Sequence, residues 1–335
     1  MIRVQNPLTS ASCLKVAALV IASSFAFHAA GQQQVPPAPA DADPSAPTPA
    51  PSAAPVFPKP DPANFTASSP TKETVNAFLA ASWGYDDNRV WQIEGILKTP
   101  VEGVSKVIAY VGDKTGKQKP LGMQFYVMAD GKHIIASDEV LSFGEKPFAE
   151  YRTTLQGRAD GPYRGTASKD LELVEFADFQ CPHCKEAQPN MEKLAVDFPN
   201  ARIVFENFPL PQHPAAAGAA AYGVCVNKLG GSTDFFKFAG AVFDGQDGLA
   251  TADGATLTLN SAVTTAGLDP AKVEACSKTP EVDAQVKAST QLAKDVNVNT
   301  TPALMVNGRQ IPAGAPYDVI KQIILFQEKL DGVKQ

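Results

Sequence analysis

Two cysteines separated by two residues carry the first chemical signal in this sequence. Cys181 and Cys184 lie in the stretch VEFADFQCPHCKEAQPN, behind a strand-like apolar run and ahead of a helix-like segment. This order puts Cys181 at a helix N-terminus, where free N–H groups and the helix dipole stabilise a thiolate. His183, between the cysteines, can add a positive charge or a donor at short range. Cys184, one helical turn in, is more enclosed and fits the resolving thiol.

Two other interpretations of this cysteine pair are a metal site and a structural disulfide. A zinc site needs four ligands, and no second CxxC or close His pair is present. His133 and His213 are isolated, while Cys225 and Cys276 stand far apart with no metal-like neighbours. A disulfide across so small a loop removes little entropy from the unfolded chain. Redox chemistry is therefore favoured, with no metal and no organic cofactor, since no nucleotide-binding glycine pattern occurs in the right context.

A second signal lies far downstream, in VNVNTTPALMVNG. Thr301 and Pro302 precede the strand-like ALMV, which ends in a turn at Asn307-Gly308 and leads to a final helix, YDVIKQIILFQEKL. An X-Pro bond adopts cis at modest cost, and a cis proline at the start of a strand leaves its neighbours free to face a substrate. Pro302 becomes informative only because of the cysteine motif upstream.

EFADFQCPHC together with TTPALMVNG resembles the DsbA family of thioredoxin-fold disulfide oxidoreductases, over roughly residues 165 to 335. The resemblance implies an α/β thioredoxin fold with a helical insert at about 214–282. It also implies that Cys181 is the nucleophile, Cys184 the resolving cysteine and Pro302 a cis proline beside them.

The same resemblance assigns roles to three further residues. Glu175, six positions before Cys181, matches the buried acid of this family, which tunes the thiols and relays protons; the alternative is a solvent-facing residue at a strand end. Cys225 and Cys276 both fall inside the insert, where some relatives carry a second disulfide. Two buried free cysteines are the alternative there.

The segment before the cysteine motif predicts a small α+β unit at residues 71–155. TKETVNAFLAAS is helical in spacing, with Ser69 and Pro70 at cap-like positions, and VSKVIAYV, LGMQFYVM and KHIIASDEV read as strands. FYVMADGKHIIASDEVLSFG resembles the cystatin-like dimerisation domain of the disulfide isomerases DsbC and DsbG. That resemblance implies a homodimer through 71–155. A polar hinge at 156–169 and the catalytic domain at 170–335 follow.

The N-terminal residues indicate export. Residues 1–30 contain a weakly basic start and the apolar core VAALVIASSFAF, typical of a secretory leader; a leader retained as an anchor is the alternative. Residues 31–70 read as a disordered tether, since 12 of the 28 prolines lie between positions 36 and 70. Removing the two positive charges of the leader takes the net charge from −6 to −8, which argues against nucleic acid or anionic membrane as a partner.

Together these features predict an exported thiol:disulfide oxidoreductase of the periplasm or bacterial cell envelope. Its substrates would be exported proteins with cysteines, and a membrane oxidase or reductase would exchange electrons with it. The Pro-His dipeptide between the cysteines favours a donor of disulfides, whereas Thr301 and the N-terminal unit favour an isomerase. The alternatives are a dimeric, reductively maintained isomerase and a chaperone-like binding module in which CxxC is incidental.

Overall fold

The structure is a computed structural model that describes residues 57–117, 119–137, 139–312 and 314–333. The leader at 1–30 and the first part of the tether lie outside the described residues. The end of the tether, from residue 57, packs against the fold: Phe65 bridges to Ile96, and the Asp61 carboxylate caps a short 3-10 turn at Pro62–Asn64. The tether prediction is corrected there, because the main-chain N–H groups of Thr66 and Ala67 also donate to the Ile96 carbonyl oxygen and hold the segment against β1. None of the described helices is both long and apolar enough to cross a bilayer.

The first sheet is an antiparallel meander in the order β1-β2-β3-β4-β5. Its strands are β1 Arg89–Lys98, β2 Ser105–Asp113, β3 Leu121–Val127, β4 His133–Ala136 and β5 Glu139–Ser142. The strand expected over KHIIASDEV is split into β4 and β5 by a turn in which Ser137 has a φ of 56°. Strand β1, which supplies one edge of this sheet, was not predicted from the sequence.

One helix, α1 (Lys72–Trp83), covers the inner face of this sheet. Val75, Phe78 and Leu79 lie on one side of the helix, as residues three and four positions apart do, and they pack on the sheet core. The cap is Thr71, whose hydroxyl accepts the Thr74 N–H at 3.2 Å, and not Ser69 or Pro70 as expected. The difference arises because only Thr71 places a hydroxyl at the first free N–H groups.

The segment expected as a hinge at 156–169 contains regular structure. Helix α2 (Ala149–Arg158) runs into it, and β6 (Tyr163–Gly165) pairs with a strand of the second sheet. Arg309, on a strand of the second sheet, also connects that sheet to α1. Its guanidinium donates hydrogen bonds to the carbonyl oxygens of Ala81 and Ser82 at the end of α1. The polar, glycine-rich composition of the segment hid these pairings.

The second sheet has the order β10-β9-β7-β8-β6. Its elements, with the helices between them, are β6, β7 Glu172–Ala177, α3 Pro182–Asp197, β8 Arg202–Asn207, α4 Ala216–Asp244, α5 Ala252–Thr265, α6 Pro270–Ser277, α7 Pro280–Asp295, β9 Ala303–Val306, β10 Arg309–Gln310 and α8 Tyr317–Asp331. β7 and β8 are parallel and joined by α3, and β9 runs antiparallel to β7. This is the mixed α/β thioredoxin fold that the sequence predicted, so the fold class is confirmed.

Every residue of β7 and β8 is buried, because helices cover both faces of this sheet. Leu173 on β7 packs with Leu194 of α3 and Ile323 of α8 on one face. On the opposite face Val174 packs with Leu292 of α7 and with α2. The sheet is thereby the middle layer of three, and its buried strand β7 leads directly to the cysteine motif.

A helical insert follows β8. Gly231, with a φ of 81°, breaks α4 into two helical parts. Helix α5 was not predicted from the sequence, since four of its 14 residues are threonine, which has a low helix propensity. The Cys225 sulfur of α4 is bonded to the Cys276 sulfur of α6, across 51 positions. Aromatic rings fill the insert's core, and Phe179, two residues before Cys181, is packed among them.

We expect the α3 side of the sheet to depend on Leu194, whose side chain is fully buried. Leu194→Ala should lower the free energy of unfolding by about 2–5 kcal/mol, the usual loss for a buried leucine. Leu257→Ala is the matched control, since Leu257 is 72% exposed and its truncation should change stability by less than about 0.5 kcal/mol. Urea unfolding followed by circular dichroism measures both, and equal losses would contradict the packing described.

Candidate active site

Helix α3 begins at the cysteine motif. Cys181 is its N-cap residue, with an extended backbone (φ −76°, ψ 121°), and Pro182 occupies the first helical position, where its lack of an N–H is harmless. Both cysteines are free thiols, Cys184 is fully buried, and Cys181 is 4% exposed. The helix runs on through Pro189 to Asp197. Cys181 is therefore the less buried of the two cysteines, and Cys184 lies one helical turn further in.

The segment before β9 forms the opposite side of the site. The Thr301–Pro302 peptide bond is cis, and the Cys181 thiol lies 3.7 Å from the Thr301 carbonyl oxygen. The Thr301 hydroxyl is buried and has no hydrogen-bond partner among the described residues. It is free to turn to the sulfur once Cys181 ionises. The structure thus brings together residues that are 120 positions apart in the sequence.

The surroundings of Cys181 favour its thiolate. A hydrogen bond from the Cys184 thiol is the largest influence; the Thr301 side chain and the main-chain N–H groups of Cys184 and His183 add to it. Against the opposing effect of burial, these donors lower the pKa of Cys181 to about 5. At neutral pH the Cys181 sulfur is therefore charged and able to act as a nucleophile.

Cys184 has the opposite charge state. Its contact with the Cys181 sulfur, and then its burial, raise the pKa of Cys184 far above the ordinary value of a thiol. The main-chain N–H of Asp178, 3.4 Å from the Cys184 sulfur, acts in the other direction. One proton is thus held on Cys184 while Cys181 is ionised, which is the arrangement that a nucleophile and a resolving thiol require.

Glu175 lies inside the protein and not at a solvent-facing strand end, since its side chain is 3% exposed. Burial raises the pKa of Glu175 to about 7, against the lowering effects of a hydrogen bond from Gln188 and the charge of Arg164. Gln188 Nε2 lies 2.9 Å from the Glu175 carboxylate and 3.1 Å from the Cys184 carbonyl oxygen. Glu175 is therefore linked to the turn of α3 that carries the buried thiol.

The His183 ring lies outside the cluster of sulfurs. Its side chain is 72% exposed, and Nδ1 is 2.9 Å from a carboxylate oxygen of Glu186. This contact raises the pKa of His183, and the charge of Cys181 adds a smaller effect in the same direction. Of the two contributions expected from His183, the short-range donor is its main-chain N–H, and the ring acts only through charge.

Several polar residues around the motif were not identified from the sequence. They are Asp178, Gln180, His213 and Gln246, which hold the loop before Cys181 against the start and the end of α4. His213 is isolated in sequence, and the two glutamines carry no pattern that distinguishes them from surface residues. Only the folded chain places them together.

A family model described as Thioredoxin matches residues 158–325, which is half of the chain. The chain belongs to the thioredoxin family. Its resemblance to DsbA-type proteins over the catalytic part is also confirmed: the chain is 26% identical over 188 residues to a "Probable disulfide bond formation protein D" of Bacillus anthracis, covering 54% of this chain and 81% of that one.

Two further similarities are to a longer protein and to a solved structure. The chain is 29% identical over 163 residues to the "Na(+)/H(+) antiporter NhaA 3" of Salinispora tropica, covering 47% of this chain but only 22% of that protein. This chain therefore spans less than a third of the first curated relatives that it matches. A thioredoxin-like oxidoreductase from Silicibacter pomeroyi has a TM-score of 0.46 at 22% identity, covering 53% of this chain and 98% of that chain.

In this thioredoxin-family protein, the thiolate of Cys181 depends most on the Cys184 thiol, so removing that donor should raise the pKa of Cys181. For Cys184→Ala we expect the midpoint of thiolate absorbance to move upward from about pH 5 by about one pH unit or more. Cys184→Ser is the matched control, because serine keeps a hydroxyl donor at the same place and should retain more of the lowering. A midpoint unchanged in Cys184→Ala would contradict the assignment of the donor.

Proposed function

We propose that this protein is an exported thiol:disulfide oxidoreductase that exchanges disulfides with cysteines of other exported proteins. The observation that carries the proposal is the pairing of an ionised Cys181 at the N-terminus of α3 with a protonated, fully buried Cys184. The Cys181 thiolate attacks a substrate disulfide, a mixed disulfide forms, and Cys184 resolves it; in the oxidising direction the same steps run in reverse.

The charge state of Cys181 favours the oxidising direction. The donors around its sulfur stabilise the reduced, thiolate form of the pair relative to the disulfide form. A pair whose reduced form is stabilised in this way gives its disulfide readily to other thiols. We therefore propose that the protein donates disulfides, with Thr301 and Pro302 contacting the substrate backbone beside Cys181.

The reaction also requires a redox partner. Each turnover leaves the Cys181 and Cys184 pair in the opposite redox state, and the restoring electrons must pass to or from another protein. A membrane oxidase or reductase suits an exported enzyme, and the secretory leader expected at residues 1–30 places the pair in the periplasm or cell envelope. This oxidising compartment also suits the disulfide between Cys225 and Cys276.

A second candidate, a dimeric isomerase, is favoured by the outer face of the first sheet. Tyr126, Ile135 and Val140 are neighbours across β3, β4 and β5, and they lie on the face opposite the one that α1 covers. Tyr126 is 38% exposed and Val140 60% exposed. An apolar row of this kind on a sheet would be covered if two copies of residues 71–155 packed together.

For the function, we expect the oxidised protein to introduce disulfides into reduced ribonuclease, and Cys181→Ser to lose this activity because the Cys181–Cys184 disulfide that is donated can no longer form. The recovery of ribonuclease activity measures it. The double variant Cys225→Ser and Cys276→Ser is the matched control, checked for folding by circular dichroism, and it should keep the activity. If Cys181→Ser keeps it instead, or if the wild type has no redox activity and only suppresses aggregation, the protein is a binding module and the proposal fails.

For the dimer, we expect the combined substitutions Tyr126→Glu and Val140→Glu to convert a dimer into a monomer, because they bury two charges in the proposed interface. Sedimentation equilibrium of the full chain gives the mass. Val101→Glu is the matched control, since Val101 is 63% exposed but lies in the turn between β1 and β2, outside the row. A wild-type monomer would remove the isomerase candidate and leave the oxidase.

A further inference from the structure

A buried carboxylate behind the active site is not used by the thiol chemistry described so far. The Asp178 side chain is fully buried and accepts three hydrogen bonds. The donors are the main-chain N–H of Gln180 at 2.7 Å, the main-chain N–H of Leu210 at 2.8 Å and Nδ1 of His213 at 2.8 Å. The His213 ring is the only side chain among these donors, and it is 21% exposed.

The main chain of Asp178 contacts the buried thiol. Its N–H donates to the Cys184 sulfur at 3.4 Å. Among the influences on Cys184, this bond lowers the pKa of the thiol, whereas its burial and the neighbouring charges of Cys181 and Glu175 raise it. The Asp178 N–H is therefore the group that stabilises a negative charge on the Cys184 sulfur.

We propose that His213 is a positioning residue for the resolving step: its ring N–H holds the Asp178 carboxylate and thereby aims the Asp178 main-chain N–H at the Cys184 sulfur. This inference rests on the proposed thiol–disulfide exchange. The carboxylate and the N–H belong to one residue, so the bonds that anchor the side chain restrain the main chain that carries the N–H. His213 and the Leu210 main-chain N–H share one oxygen of this buried carboxylate, so loss of the ring leaves that oxygen with one donor and anchors the side chain less firmly.

The step that depends on this N–H involves a charged Cys184 in both directions. In reduction of a substrate, the Cys184 thiol gives its proton to a base and the thiolate attacks the Cys181 sulfur of the mixed disulfide. The Cys181–Cys184 bond forms, the bond from Cys181 to the substrate sulfur breaks, and the electron pair leaves on that sulfur, which takes up a proton. In oxidation, a substrate thiolate attacks Cys181 and Cys184 leaves as the thiolate.

Other contacts keep the surrounding loop in place when His213 changes. Gln180 Oε1 accepts from the Ala215 N–H at 2.7 Å, and Gln246 Nε2 donates to the carbonyls of Phe179 at 2.8 Å and Cys181 at 2.9 Å. The loop before Cys181 is thus held to both ends of α4 without His213. The effect of a His213 substitution should be confined to Asp178 and the sulfur above it.

The two steps can be separated with Ellman's disulfide and the reduced full chain. Attack by the Cys181 thiolate releases one coloured nitrothiobenzoate and forms a mixed disulfide. Attack by Cys184 on that mixed disulfide releases a second. In stopped-flow measurements at low reagent concentration, the first release depends on reagent concentration and the second does not.

We expect His213→Leu to slow the second release about tenfold and to change the first by less than about twofold, because only Cys184 loses a donor. His213→Asn is the matched variant: asparagine has nearly the shape of leucine but places an N–H close to the position of Nδ1. It should restore the second release to within about twofold of the wild type. If circular dichroism shows that His213→Leu does not fold, His213→Ala takes its place against His213→Asn.

Three outcomes overturn the inference while leaving the proposed function intact. The second release could be as fast in His213→Leu as in the wild type, or equally slow in both variants, or slowed only in step with the first release. The last two would indicate a general structural role. If the wild type itself gives no second release, the proposed exchange fails and the inference falls with it.

Discussion

The hydrogen bond between the Cys184 thiol and the Cys181 sulfur sets the charge state of both cysteines, because it is the largest influence on each. It lowers the pKa of one and raises the pKa of the other, so a single proton is held on the buried sulfur. The fold maintains this hydrogen bond because α3 begins at Cys181, Cys184 is buried in the first turn of the same helix, and Thr301 lies next to the Cys181 sulfur. A charged nucleophile next to a protonated partner is the result.

Buried charges also couple the redox state to pH. Burial raises the pKa of Glu175 and of Glu206 to about 7, from an ordinary value of 4.5. The stability that goes with their protonated forms is complete below pH 4.5 and is lost as the pH rises through about 7. Cys181 has the opposite sign: its thiolate stabilises the reduced fold fully above the ordinary pKa of 9.0, and this is lost as the pH falls through about 5. In the disulfide form Cys181 does not titrate, so only Glu175 and Glu206 still contribute to this pH dependence.

Patterns local in sequence predicted much of the fold. The apolar strand before Cys181 and the Asn307-Gly308 turn lie where expected, and both turn residues have positive φ values of 46° and 85°. Segments whose structure depends on pairing with distant residues were predicted less well. β6 has three residues and is a strand only because it pairs with β8. The end of the tether is held against β1 by the bridge of Phe65 and by hydrogen bonds of Thr66 and Ala67 to the Ile96 carbonyl oxygen. Neither segment has a periodicity of its own that reveals its structure.

The sequence by itself determined the chemistry, because CxxC at the start of a helix predicts a thiolate next to a second thiol whatever the rest of the fold does. Only the tertiary structure decided how that chemistry is controlled. Donors from outside the motif come from Thr301 to the Cys181 sulfur and from Asp178 to the Cys184 sulfur, and Asp178 is held by His213, 35 positions later. Hydrogen bonds at this range depend on distances of a few ångströms between segments that the fold alone brings together, and no local pattern of residues encodes them.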